Sequence, residues 1–191
     1  ALGSCQSGKQ APATASQNGT GIIAGSITFE GDAPRNDIYR FFYNALTEDK
    51  KFRKANSGKI EIKAREGSAR AFTGDSPDKK TYYFTIEGAP GNYAFTQYSY
   101  LDHIGYSGMV SSSKKFSIPF EIKADQVIYI GDLQYNDDAQ PGAPRIKVRN
   151  RLSDDLPGLK SKYPLVKWDK ADNKTVRAGD TGNGIVEFQL Q

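Results

Sequence analysis

Few residues in this chain are equipped for chemistry, and they are scattered. The chain has one cysteine, Cys5, and one histidine, His103. Acyl-transfer sites pair a nucleophile with a nearby base, so a histidine-dependent site here must use His103. Its neighbour in "YLDHIGY" is Asp102, yet adjacent strand residues point to opposite faces. An enzyme using His103 with another carboxylate is therefore the weakest of three readings, and no catalytic residue is assigned. Zinc is disfavoured, because one histidine and no second cysteine leave only carboxylates as further ligands. Calcium takes oxygen ligands, and "YNDD" (135–138) and "DKADNKT…GDTGNG" (169–184) supply clustered Asp and Asn. Neither has the twelve-residue loop closed by a glutamate, and the same residues build turns. No phosphate-cradling glycine loop precedes a helix. No metal and no cofactor are expected.

Aromatic and basic side chains offer binding rather than catalysis. Tyr93, Tyr98, Tyr100 and Tyr106 share one segment with Phe95. Exposed, they would stack on sugar rings or grip a protein partner, which makes a carbohydrate-binding module the alternative reading. A chain short of aliphatic residues also needs its tyrosines as core, and that assignment is preferred. Arg145, Lys147 and Arg149, followed by Arg151, form a basic strand face. It would meet anionic head groups or act as a solvated face that discourages edge pairing.

Cys5 sits in a polar, small-residue stretch, where it can form neither an internal disulfide nor a core contact. Leu2-Gly3-Ser4-Cys5 resembles the lipobox of bacterial lipoproteins: an aliphatic residue, two small residues, then cysteine. The resemblance implies cleavage between Ser4 and Cys5, with residues 1–4 a signal-peptide remnant and Cys5 the lipid attachment site. Its thiolate would take a diacylglyceryl group as a thioether. At ~0.8 kcal/mol per buried CH₂, one chain anchors marginally and two or three anchor stably. Gln6 is not the aspartate that favours inner-membrane retention in that family, so the resemblance implies the outer membrane. Residues 6–20, "QSGKQAPATASQNGT", carry no apolar periodicity and read as a spacer. On flexible-chain scaling its span is about 20 Å. Residues 5–20 thus form a lipidated tether and residues 21–191 the folded domain.

The 191 residues suit one domain with a tail. Apolar residues make up 37%, but 11 Tyr and 10 Phe compensate with large buried areas. The net charge of +4 comes from 26 basic and 22 acidic residues. It is mild and unblocked, so no nucleic-acid partner is expected.

Alternation predicts strands at 21–32, 37–45, 59–65, 81–103 (two strands about a Gly-Ala-Pro-Gly turn), 115–122, 126–135, 144–151 and 184–190. Gly25 in mid-strand suggests a bulge or a close backbone approach. Pro119 places its strand at an edge or a bend. The segment "IIAGSITF" has the same shape as "IYIGDLQY". The span 47–58 reads as a charged loop. One helix is predicted, at 152–163. Ser153 can cap it, Asp154 and Asp155 lie at its positive end, and Pro157 is tolerated in its first turn. Its apolar face is Leu152, Leu156, Leu159 and Tyr163. The fold class is all-β, an antiparallel β-sandwich with one short helix.

"GIIAGSITF" followed by "YYFTIEGAPGNYAF" is similar to transthyretin-like, carboxypeptidase-regulatory-like domains. The later "FEIKADQVIYIGDLQY" and the helix ending "KYPLV" resemble uncharacterised bacterial lipoproteins of that fold. The resemblance implies a cell-envelope lipoprotein working as a non-catalytic binding or structural module. Its partners would be the membrane, through acyl chains on Cys5, and an envelope protein or glycan.

Overall fold

A computed structural model describes residues 19–66, 68–104 and 107–190, the side chains of 103, 104 and 107 excepted. The elements are β1 (Gly21–Phe29), β2 (Ile38–Ala45), α1 (Lys50–Asn56), β3 (Gly58–Lys63), β4 (Thr81–Gly88), β5 (Gly91–Ile104) and β6 (Ser107–Ser112). They continue with β7 (Ile118–Ile122), β8 (Val127–Tyr135), β9 (Ile146–Arg149), α2 (Leu152–Lys162), a 3-10 turn (Trp168–Lys170), β10 (Asp172–Asn173) and β11 (Val186–Phe188). Among the described residues these strands form two sheets. One runs β11-β9-β8-β1-β4 with β10 beside β8, the other β3-β2-β5-β6 with β7 beside β5.

The sheets share one core, built as the alternation requires. β2 contributes Tyr39, Phe41, Tyr43 and Ala45, β7 contributes Ile118, Phe120 and Ile122, and β1 contributes Ile23, Ile27 and Phe29. Aromatic rings interleave with aliphatic side chains in this core. The Tyr135 ring meets Tyr98 at 5.2 Å and Tyr39 at 5.5 Å, both edge-on, a favoured aromatic arrangement.

Three expectations need correction. The first sheet is mixed rather than antiparallel, because β1 pairs with β8 in parallel, as β8 does with β10 and β9 with β11. Parallel neighbours need a long crossover. The chain supplies it by detouring through the second sheet and returning to the end at which β1 begins. The 47–58 segment is not all loop, since residues 50–56 form α1. Asp49 caps it by accepting from the Lys51 and Phe52 amides, and the Phe52 ring lies 6.5 Å from Tyr93. Seven residues are too few for an isolated helix, so this docking holds it. Finally, Ser153 does not cap α2. Arg151 is the N-cap residue and makes no side-chain cap bond, while Asn150 Oδ1 accepts from the Leu152 amide at 3.2 Å.

A third layer explains why β1 is buried along its whole length. Its outer face carries Ile22 and Ala24, which pack in a second cluster with Tyr83, Tyr129, Leu159, Tyr163, Val166 and Trp168. Gly158 permits the close helix–sheet approach. A Cβ there would stand 2.2 Å from the Tyr83 ring.

Candidate functional site

The two look-alike segments, "IIAGSITF" and "IYIGDLQY", are parallel neighbours, and their glycines meet. The β1–β8 register shifts between Ala24 and Ser26. Gly131 sits at φ +122°, and a Cβ on Gly25 would stand 2.7 Å from the Gly131 carbonyl oxygen. β8 thus spends one extra residue opposite Gly25, which inverts its facing. Ile128 and Ile130 point into the shared core, and so do Leu133 and Tyr135. Tyr129 faces α2, and the extra residue turns Asp132 to the same side.

Asp132 therefore meets α2 rather than the core. Its Oδ1 accepts from Ser26 Oγ and from Thr28 Oγ1, both at 2.8 Å. Its Oδ2 accepts from Arg149 Nε at 2.7 Å. Asp155 arrives from α2 on the apolar face predicted for that helix, one turn before Leu159. Its Oδ2 lies 2.5 Å from Ser26 Oγ and accepts from the Tyr129 hydroxyl at 2.6 Å. Thr28 Oγ1 also lies 3.0 Å from Thr81 Oγ1. Ser26, Asp132 and Tyr129 are 0% exposed and Asp155 is 1% exposed.

Ser26 has one hydroxyl proton and a carboxyl oxygen on each side. It can donate to only one of them, so the second contact needs a proton on the carboxyl. Burial pushes the Asp155 carboxyl above the usual carboxylate range. The charge on Asp132 adds to this, and the Ser26 and Tyr129 hydrogen bonds oppose it. With the Asp155 carboxyl protonated, every hydrogen is accounted for as a relay: Asp155 donates to Ser26, Ser26 donates to Asp132, and Asp132 faces the Arg149 guanidinium. Asp155 Oδ1 is left buried without a partner, which also favours the neutral carboxyl. This cluster resembles paired acid–base carboxyls in chemistry, but α2 closes it over. A substrate reaches neither carboxyl while the helix is docked, and the cluster ties α2 to the sheet.

A second polar cluster lies between the sheets. The Tyr39 hydroxyl donates to Asp137 Oδ2, and Asn36 donates its amide N–H to the Tyr39 oxygen at 3.1 Å. Burial holds the Asp137 carboxyl above its usual range. Arg145 donates to the Asp137 carbonyl at 2.7 Å.

The surface offers a cleft of about 540 Å³ where the two sheets part between edge strands β3 and β4. Lys59, Glu61, Lys63, Glu66, Tyr82 and Lys162 line it. The Tyr82 hydroxyl lies 2.9 Å from Thr73 Oγ1, which fixes the ring in the cleft wall. Glu61 is held by Arg40 at 2.8 Å and Lys162 by Asp75 at 2.9 Å. Lys63 is exposed.

The residues singled out from sequence fall elsewhere. Cys5 and Tyr106 lie outside the described residues, as does the side chain of His103. Tyr93 is 0% exposed and Tyr98 6%, and Tyr100 packs half-buried against the same core. A shift in the β2–β5 register between Phe42 and Tyr43 puts Tyr93 and Phe95 on one side of the shift and Tyr98 and Tyr100 on the other, all facing inward. Tyr93 and Tyr98 are therefore core residues, unable to stack on a ligand while the domain is folded. The arginines of the basic face are also engaged: Arg149 by Asp132, Arg145 by the Asp137 carbonyl, and Arg151 by Asp154 at 3.6 Å. The clustered Asp and Asn serve turns. Asn136 Oδ1 accepts from the Asp138 amide, Asn173 Oδ1 from Thr175, and Asp180 Oδ1 from Gly182. No group of three or more His, Cys, Asp or Glu among the described residues is arranged to hold a metal ion. Sequence reading missed the Ser26–Asp132–Asp155 relay. The paired glycines were its one visible trace.

No protein-family model matches the chain, and no curated protein matches it. Among solved structures it is similar to part of a leucine-rich repeat protein from Bacteroides thetaiotaomicron, with 9% identity and a TM-score of 0.32. That match covers 64% of this chain and 15% of the other, so the chain spans a small fraction of that protein's length. At this level of similarity it carries no argument about activity.

Proposed function

We propose that this chain is a non-catalytic binding module of the bacterial cell envelope. Acyl chains on Cys5 hold it, and the domain is of the transthyretin-like sandwich type. The two-sheet core, with Gly25 of the first strand in close approach to the Gly131 backbone, supports the fold assignment. Leu2-Gly3-Ser4-Cys5 and the polar spacer behind it support the anchor. The observation that carries the binding role is the β3–β4 cleft. It is a groove between two strand edges, rimmed by charge and walled by Tyr82, and polar groups over an aromatic wall suit selective binding. A photo-crosslinking residue in place of Lys63, in the native host, should trap an envelope protein or glycan. The same residue in place of Lys114, beyond β6 at the far edge of that sheet, should not. Equal trapping at both positions removes the cleft from the proposal.

A further inference from the structure

We propose that the end of the domain bearing α1 docks onto an anionic phospholipid surface. This rests on the lipid-anchored reading given above. The chain enters the domain at Thr20, whose carbonyl accepts from the Asp125 amide at 2.8 Å and whose hydroxyl donates to Glu87 at 2.7 Å. The next residue, Gly21, pairs with Gly88. The same end holds α1, because Asn56 Oδ1 accepts from the Ala89 amide at 3.3 Å and the Leu46 amide donates to Asn92. A tether leaving Thr20 thus leaves beside α1. With the span of about 20 Å expected of residues 6–20, this end is the part of the domain held nearest to the lipid.

Its chemistry matches that position. α1 reads KKFRKAN, four cations in seven residues with no acidic residue. Phe52 turns toward Tyr93, and Lys50, Lys51, Arg53 and Lys54 are all exposed. Of the two carboxylates just before the helix, Asp49 accepts the α1 amides, and Glu48 remains exposed. Leu46, 53% exposed, stands next to the run, and Lys123 is exposed in the turn that holds Thr20. Clustered cations beside an anchor are attracted to anionic head groups over about a Debye length. The Arg145–Arg149 face has its arginines engaged by Asp132 and by the Asp137 carbonyl, whereas the α1 cations are all exposed, Arg53 reaching only the Thr47 carbonyl at 3.4 Å. The acyl anchor would fix the distance to the membrane, and α1 would fix the orientation, leaving the opposite end facing away.

The test uses the full chain with Cys5→Ser, so that no acyl group contributes, and sedimentation with phosphatidylcholine vesicles with or without about one-third phosphatidylglycerol. Binding should require phosphatidylglycerol and should fall at least about tenfold between ~0.1 M and ~1 M salt. Lys50→Glu/Lys54→Glu should weaken it about tenfold or more. Arg70→Glu/Lys79→Glu, in the loop at the other end of β1, should leave it nearly unchanged. Absence of binding, indifference to phosphatidylglycerol, or equal loss in both double variants overturns the docking. The salt arm decides the matter even if a variant misfolds. Intact mass of the native protein tests the anchor separately. A bare Cys5 thiol overturns the anchor and with it this orientation, whereas an acylated Cys5 alongside failed vesicle binding overturns the docking alone.

Discussion

The single proton of Ser26 makes the residue-scale predictions. Asp132→Ala leaves Arg149 facing a gap and Ser26 and Thr28 without their acceptor. Breaking a buried charge pair from one side costs about 3–5 kcal/mol, and urea unfolding should show a loss of that order. Asp155 behaves differently, because its carboxyl is raised. The folded state holds that proton more tightly than the unfolded chain, so its contribution is present at acid pH. It is lost as pH rises from the ordinary aspartate value of about 4 through the raised folded value. The groups facing it are Asp132 and Tyr129 on β8, Tyr83 on β4, Arg151 before the helix, and Arg149 behind Asp132. Asp155→Asn keeps a neutral donor at the same place. Its stability–pH curve should be flatter than that of the parent over this window, and parallel curves would refute the relay. At the alkaline end, burial pushes Tyr43 and Tyr93 up to about 12. Both should resist ionisation in an absorbance titration past about pH 10, the value for a free tyrosine, until the domain unfolds.

At the scale of elements, the two bulges and one close helix contact are the sensitive points. Gly158→Ala pits helix propensity, about 1 kcal/mol in favour of alanine, against a Cβ placed 2.2–2.5 Å from the Tyr83 ring. Tyr83 is 8% exposed and packed with Leu159 of α2, so overpacking of about 1–3 kcal/mol should win. The variant should melt below the parent. Gly131→Ala meets backbone as well as strain, with φ at +122° and the Arg149 carbonyl 3.2 Å from the new Cβ. A cost of about 1–3 kcal/mol is expected, with loosening of α2 because the bulge aims Asp132. Increased amide exchange of the α2 backbone is the readout. These elements were partly legible. Gly25 was recognisable as a bulge or close approach because only glycine escapes the contact. The inversion of β8 was not legible, because it depends on which residues of β1 and β8 lie opposite one another. α1 was missed for a similar reason: KKFRKAN has one large apolar residue, and Phe52 acquires its role only when Tyr93 is beside it.

For the molecule as a whole, the layers are helix, sheet, sheet, and β1 belongs to both interfaces. That coupling predicts one cooperative transition. Trp168, the only tryptophan, lies in the helix-side cluster, 7% exposed with Nε1 donating to the Tyr163 carbonyl. Its fluorescence should change at the same denaturant concentration as the far-ultraviolet signal of the sheets. A separate early fluorescence transition would mean that α2 leaves before the sheets open. Tyr98 is buried in the core between the sheets, its ring against Phe41, Phe116 and Tyr135. Tyr98→Ala should therefore cost about 3–5 kcal/mol, a loss no surface binding residue would show.

The sequence by itself determined most of the strands, β6 and the two-residue β10 excepted, where α2 lies, and that Gly25 marks a bulge or a close approach. These are local matters of alternation, spacing and steric room at one residue. It also carries the Cys5 motif, which is a matter of adjacent residues alone. The tertiary structure decided which face each side chain takes beyond a bulge, that Tyr93 and Tyr98 are interior, and that Asp155 and Asp132 of β8 meet at one Ser26 hydroxyl. It also decided that α1 stands where the chain enters. Each of these depends on distances between residues far apart in the chain, set by strand register and by the packing of layers, and no short window of sequence contains them.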